Sequence, residues 1–173
     1  FVLQTNGSVI QDGIAIDDVS IYTGANPPVS AGTYMARTAV STGTGAFVAV
    51  NDPSGNRIVE INDNGQSLGT ISVDVNQNAG NAPTMYNGTS YLGRNFVINV
   101  QNQPINPVTV RLFITQAEFD AWQAADPTVD QIRNISVYKF SGTTEDFDLG
   151  NNTAGTPLTI GAAEIKNIQY LES

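Results

Sequence analysis

Two acidic groups are the residues whose type and spacing best suit chemistry. Asp17 and Asp18 are adjacent in GIAIDDVSIY, and Asp146 and Asp148 lie in an acidic stretch with Glu145, Asn151 and Asn152. The chemistry they suit is calcium binding, because a hard cation takes roughly six to eight oxygens from carboxylates, amides and carbonyls. Each has a plainer reading. The first is a strand-end pair accepting backbone N–H groups, and the second is a solvated acidic loop. A third oxygen-rich stretch, Glu60, Asn62 and Asn64 before Gly65, resembles a calcium loop only in outline. Its twelfth position is Ile71, where a bidentate Glu belongs.

Other chemistries are poorly served. The chain has no His and no Cys, so Ser-His-Asp and Cys-His arrangements are excluded, as are zinc sites of the usual kind. A Ser-Lys pair would need Lys139 or Lys166, one inside a strand pattern and the other near the last residues. A glycosidase needs two carboxylates held across a cleft. The glutamates Glu60, Glu118, Glu145, Glu164 and Glu172 are scattered, and Glu118 is accounted for by helix capping. The chain itself is therefore expected to be non-catalytic. No cofactor is required, with calcium the one candidate. Sugar binding would use exposed aromatics. Tyr86 and Tyr91 flank the turn Asn87-Gly88, which could present them to a ligand, although tyrosines beside a hairpin turn also pair across strands. Trp122 shares a helix face with Phe119 and reads as core.

The elements that must hold these residues are short strands. Turn signals recur every 8–12 residues or so, a β-sandwich pattern. Ile71, Val73 and Val75 alternate, as do Val108, Val110, Leu112 and Ile114. Asn64-Gly65 lies between RIVEIN and the strand over 66–75, which predicts a type I′ hairpin. Asn6-Gly7 predicts another. The chain carries one clear helix signal, over 116–125. Thr115 and Glu118 make a capping box, Ile114 and Phe119 a staple, and Asp126-Pro127 a stop. The expected fold is mainly β: an antiparallel sandwich, Ig-like or jelly-roll-like, with one short helix inserted near 116–125. The loops 76–90 and 143–156 are the ones expected to carry affinity.

Composition narrows the partners. With 173 residues the chain needs no disulfide or metal staple, since a chain this long buries roughly 70% of its unfolded surface. The net charge of -9 argues against nucleic acid and against an anionic membrane surface. Nothing approaches the roughly 20 apolar residues of a membrane span, so no membrane insertion is expected. Only 13% of residues are charged, and Asn, Gln, Ser and Thr fill the surface, a look common to extracellular β-proteins. The start at Phe1 has no basic n-region and reads as a piece of something longer. Gly24-Ala25-Asn26-Pro27-Pro28 reads as a boundary. It divides residues 1–24, an N-terminal hairpin or the last strands of a preceding domain, from a sandwich over 25–173.

Several stretches carry a resemblance. RIVEINDNGQSLGTISV, YLGRNFVINVQNQPINPVTVRLFITQAEFDAWQAADPTV and ISVYKFSG, in that order, are similar to modules of Bacteroidetes secreted and surface multidomain proteins, the substrates of type IX secretion. GIAIDDVSIY resembles the last strand of a MAM-like or lectin-like jelly roll. The resemblance implies an exported module, extracellular or at the cell surface, that acts in adhesion or structural spacing. It implies contact with the secretion machinery through a sorting module outside this chain. Its implied partners are an extracellular polysaccharide or a surface protein. A carbohydrate-binding accessory module of a secreted hydrolase or peptidase is the alternative.

Overall fold

A computed structural model describes residues 2–6, 16–24, 29–131, 137–142, 147, 153–158 and 170–171. Strands are β1 (Val2–Asn6), β2 (Ile16–Gly24), β3 (Tyr34–Ser41), β4 (Phe47–Asn51), β5 (Arg57–Asn62), β6 (Gly69–Gln77), β7 (Thr84–Tyr86), β8 (Thr89–Tyr91), β9 (Arg94–Val100), β10 (Val108–Phe113), β11 (Val137–Gly142), β12 (Thr153–Leu158) and β13 (Tyr170–Leu171). The helix α1 spans Gln116–Ala125, where the capping box and the Asp126-Pro127 stop put it. A six-stranded sheet runs β12-β11-β1-β9-β6-β3, and a five-stranded sheet runs β13-β2-β10-β5-β4. The hairpin β7–β8 stands apart from both.

The alternating strands put their apolar sides into one shared core. Ile71, Val73 and Val75 of β6 and Phe96 and Ile98 of β9 meet Val110 and Leu112 of β10 and Ile61 of β5, all at most 2% exposed. Ile114, Phe119 and Trp122 carry α1 into the same cluster. Each such aliphatic side chain contributes about 1.5–3 kcal/mol by leaving water. This is a mainly antiparallel β-sandwich with one short helix.

Topology departs from the sequence reading in two ways. The β5–β6 segment is not a hairpin: β5 pairs with β4 and β10, whereas β6 pairs with β3 and β9. Asn64 and Gly65 do take positive φ, 49° and 83°. The next residues, Gln66–Leu68, carry the chain across to the other sheet, so the turn is a corner. The same holds for Gly43–Gly45, between β3 and β4. β1 and β2 also lie in different sheets; the second arm of the hairpin expected at Asn6-Gly7 lies outside the described residues. Finally, β1 runs parallel to β9 and β11, and β2 runs parallel to β10 and β13. Two-residue turns say nothing about pairing between segments far apart in sequence.

Candidate functional site

The hairpin β7–β8 closes with Asn87 at φ 50° and Gly88 at φ 78°, so here the Asn-Gly signal does make a two-residue hairpin. Its last strand rests on α1. Trp122 Nε1 donates to Ser90 Oγ (2.6 Å), and Ser90 Oγ donates to Asp126 Oδ2 (2.6 Å). The other Asp126 oxygen accepts from the Thr128 amide (3.0 Å) and hydroxyl (2.6 Å). The Ser90 hydroxyl, followed by Thr128, holds the Asp126 carboxyl below its usual value. Trp122 is core, as its spacing with Phe119 predicts. Tyr91 is 7% exposed, which leaves no ring face for a sugar to stack on. Tyr86 is half-buried beside Met85, which is 65% exposed.

Behind the hairpin lies a buried ion pair. Arg94 opens β9, and Glu118 is the third residue of α1. Arg94 Nε lies 2.6 Å from Glu118 Oε1, with the two side chains 0% and 1% exposed. Arg94 Nη2 donates to Glu118 Oε2 (3.0 Å), to the Ser30 carbonyl (2.7 Å) and to Gln77 Oε1 (3.3 Å). Glu118 Oε2 also accepts from the Thr115 amide (2.7 Å) and hydroxyl (2.8 Å), and the Glu118 amide donates back to Thr115 Oγ1 (3.2 Å). One carboxylate thus caps the helix and neutralises a guanidinium. The capping role is legible in the sequence. The arginine partner, 24 positions away, carries no local signal.

Two more carboxylates organise turns. Asp63, fully buried, accepts from Ser41 Oγ (2.7 Å) and from the amides of Gly43 (3.0 Å), Gly45 (2.8 Å) and Gly65 (3.0 Å). Burial alone would raise its pKa, but the Ser41 hydroxyl and the three glycine amides outweigh that and hold it below the usual value. It fastens the β3–β4 and β5–β6 corners to each other. Asp52 does the same for the β4–β5 turn. Burial opposes its ionisation, and the Asn56 amide and side chain with the Ser54 amide win, so its pKa is also lowered. The oxygens of the calcium-like stretch are engaged too. Glu60 pairs with Arg57 (3.2 Å) and Arg111 (3.0 Å), and Asn62 Oδ1 accepts from the Asn64 amide (2.8 Å).

Among the described residues no three His, Cys, Asp or Glu side chains converge as a metal site. Asp17 and Asp18 fall at a register shift in β2. Ile16 pairs with Val108 and Val19 with Val110, so the two aspartates oppose the single residue Thr109. Their side chains lie outside the described residues, as do Asp146 and Asp148. The two loops singled out for affinity do not combine. β6 runs antiparallel to β9, which is parallel to β1, which is parallel to β11. The C-terminal ends of β6 and β11, from which those loops leave, therefore lie at opposite ends of the sheet.

The most exposed large apolar side chain among the described residues sits on a loop that the sequence pattern does not single out. The β9–β10 loop, 101–107, is pinned to the β5–β6 corner. Gln66 Oε1 accepts from the amides of Ile105 (2.8 Å) and Asn106 (2.8 Å), and Gln66 Nε2 donates to the Asn106 carbonyl (2.9 Å). Asn64 Nδ2 donates to the Pro107 carbonyl (2.9 Å), and Asn102 N donates to the Leu68 carbonyl (2.9 Å). At its tip Ile105 is 95% exposed. An isoleucine between Pro104 and Pro107 in a polar loop was the available hint. No helix among the described residues is long and apolar enough to cross a membrane. No protein-family model, curated protein or solved structure matches the chain.

Proposed function

We propose that this chain is a non-catalytic β-sandwich module of a secreted or cell-surface protein, exported through a sorting module outside the chain and acting in adhesion or structural spacing. The observation that carries the adhesive part is Ile105, 95% exposed on a loop whose amides are held by Gln66. An apolar side chain on a pre-ordered loop can enter a partner's pocket at little further cost in conformational entropy. The spacer part is supported by corners locked by buried carboxylates, which keep the two sheets in fixed relation.

Beads coated with the chain and assayed on immobilised extracellular polysaccharides and matrix proteins test this. Adhesion that falls at least several-fold in Ile105→Asp, with unchanged stability, supports it. Adhesion indifferent to Ile105, or turnover of a substrate by the chain, overturns it. The carbohydrate-binding reading now rests on Tyr86, half-buried at the hairpin tip, and predicts glycan-array signals lost in Tyr86→Ala. Calcium at Asp17-Asp18 or Asp146-Asp148 is a separate proposal. It requires a higher melting temperature with calcium than with EGTA, because a ligand bound only by the folded state stabilises it. Coincident curves end it.

A further inference from the structure

Two Asn-Gly pairs stand in turns of matching φ. Asn64 and Gly65 take φ 49° and 83°, and Asn87 and Gly88 take φ 50° and 78°. All of them are exposed. A Cβ built on Gly65 or on Gly88 would meet nothing within 4 Å, so both glycines stand in open space.

An Asn-Gly pair has a chemistry of its own. The glycine nitrogen, once it gives its proton to hydroxide, can attack Cγ of the asparagine before it, because glycine has no side chain to shield the approach. The N–Cγ bond forms and the Cγ–Nδ2 bond breaks. Nδ2 takes a proton from water and leaves as ammonia, which restores the hydroxide. The cyclic imide then adds one water. Opening its Cγ–N bond gives an ordinary aspartate. Opening its backbone C–N bond gives isoaspartate, in which the main chain runs through Cγ. Nothing is oxidised or reduced, and water is the one co-reactant.

The two pairs differ in what holds them. The Gly65 amide donates to the carboxylate oxygen Oδ1 of Asp63 (3.0 Å). Removing its proton would set an anion against an anion, and a neighbouring like charge disfavours the charged form. Asn64 Nδ2 donates to the Pro107 carbonyl (2.9 Å), so Cγ cannot swing onto the Gly65 nitrogen without straining that bond. Among the described residues nothing accepts from the Gly88 amide or bonds the Asn87 side chain. Asn6-Gly7 stays out of the comparison, because Gly7 lies outside the described residues.

We propose that Asn87-Gly88 is a self-modification site, where the hairpin tip converts without an enzyme to aspartate and isoaspartate, and that the Asp63 and Pro107 contacts protect Asn64-Gly65 from the same reaction. Each conversion adds a negative charge to the tip. Isoaspartate also adds a main-chain carbon to a two-residue turn, whose twist matches its strands only in the unmodified geometry. The Tyr86–Thr89 pair closes that turn, and the next residue, Ser90, accepts from Trp122 and donates to Asp126. The change at Asn87 is thereby transmitted to α1.

The full chain is incubated at mildly alkaline pH below its melting temperature, beside a sample unfolded in urea, and both are digested at intervals for peptide mass mapping. The expected result is conversion at Asn87 at least several-fold faster than at Asn64 in the folded chain, with the two rates converging in urea. Labelling by an isoaspartyl methyltransferase should locate isoaspartate at 87, and Trp122 fluorescence should shift in step with it. Asp63→Asn, shown to be folded by its urea midpoint, should speed conversion at Asn64 and leave Asn87 as it was; if that variant does not fold, the two wild-type samples decide alone. Equal rates in the folded chain, or no conversion at Asn87, overturn the proposal. A difference that persists in urea overturns it equally, because local sequence and not hydrogen bonding would then set the rates. An unchanged Asn64 rate in folded Asp63→Asn overturns the protective role of Asp63, and constant fluorescence during conversion overturns the link to α1.

Discussion

Arg94 and Glu118 face each other at 2.6 Å with essentially no solvent on either side chain. Through that pair the first turn of α1 is fastened to the first residue of β9. A buried pair can cost more in desolvation than it returns in attraction, and the fastening here comes from its extra bonds to Thr115, Ser30 and Gln77.

Removing one member should be far worse than removing both. Glu118→Gln leaves the guanidinium uncompensated in the core and is expected to cost about 3–5 kcal/mol. The double variant Arg94→Met/Glu118→Leu should recover a substantial part of that loss. Urea unfolding midpoints of the three chains measure it. A double variant no better than Glu118→Gln would show that the cap to Thr115 dominates.

The turn carboxylates predict the acid limb of stability. Asp52, Asp63 and Asp126 all have folded pKa values below the unfolded value of 3.8. Their contribution is fully present above that value and is lost as pH falls through the lowered folded values. Asp63→Asn should cost about 1–3 kcal/mol near neutral pH, since an amide offers one acceptor oxygen where four donors converge. The difference between the two proteins should shrink below about pH 3.8, seen in unfolding midpoints across a pH series.

Glycine is required at two positions for different reasons. A Cβ on Gly93 would lie 2.2 Å from the Ala82 carbonyl oxygen, a backbone atom. Gly93→Ala should therefore displace the 78–82 segment and cost about 1–3 kcal/mol. Gly55 has open space around it but φ +87°, so Gly55→Ala should cost only the left-handed strain, about 1–2 kcal/mol. Melting curves should rank them, and amide exchange at 78–82 should rise in the first variant alone.

The Trp122–Ser90–Asp126 chain yields a double-mutant cycle. Ser90→Ala strips the acceptor from a buried indole N–H and should cost about 1–3 kcal/mol. In a Trp122→Phe background the same change should cost clearly less, because no indole donor remains. Trp122 is the chain's one tryptophan, so its fluorescence reports the environment of this contact directly in the Ser90→Ala protein.

Much of the local structure was legible because its causes are local. Thr115 and Glu118 specified where α1 begins, since a capping box needs side chains only three positions apart. The alternation of β6 and β10 specified their buried faces. Asn-Gly specified positive φ at both 64–65 and 87–88. The sugar reading of Tyr91 met burial, because a period-two pattern does not say which end of a hairpin leans on a helix.

Pairing was decided elsewhere. The same Asn-Gly dipeptide closes a hairpin at 87–88 and turns a corner at 64–65, where the Asp63 carboxylate gathers three glycine amides from two connections. Likewise Arg94 found Glu118, Gln66 found Ile105, and β1 found a slot between strands more than 90 positions away. Residue types and short-range spacing determined strand content, helix, turns and the lack of His or Cys chemistry, because those arise from backbone sterics and side-chain inventory. Sheet order, parallel pairing and the exposed tip at Ile105 belong to the tertiary structure alone. They come from burial and hydrogen-bond satisfaction between distant segments, and no window of sequence contains both partners.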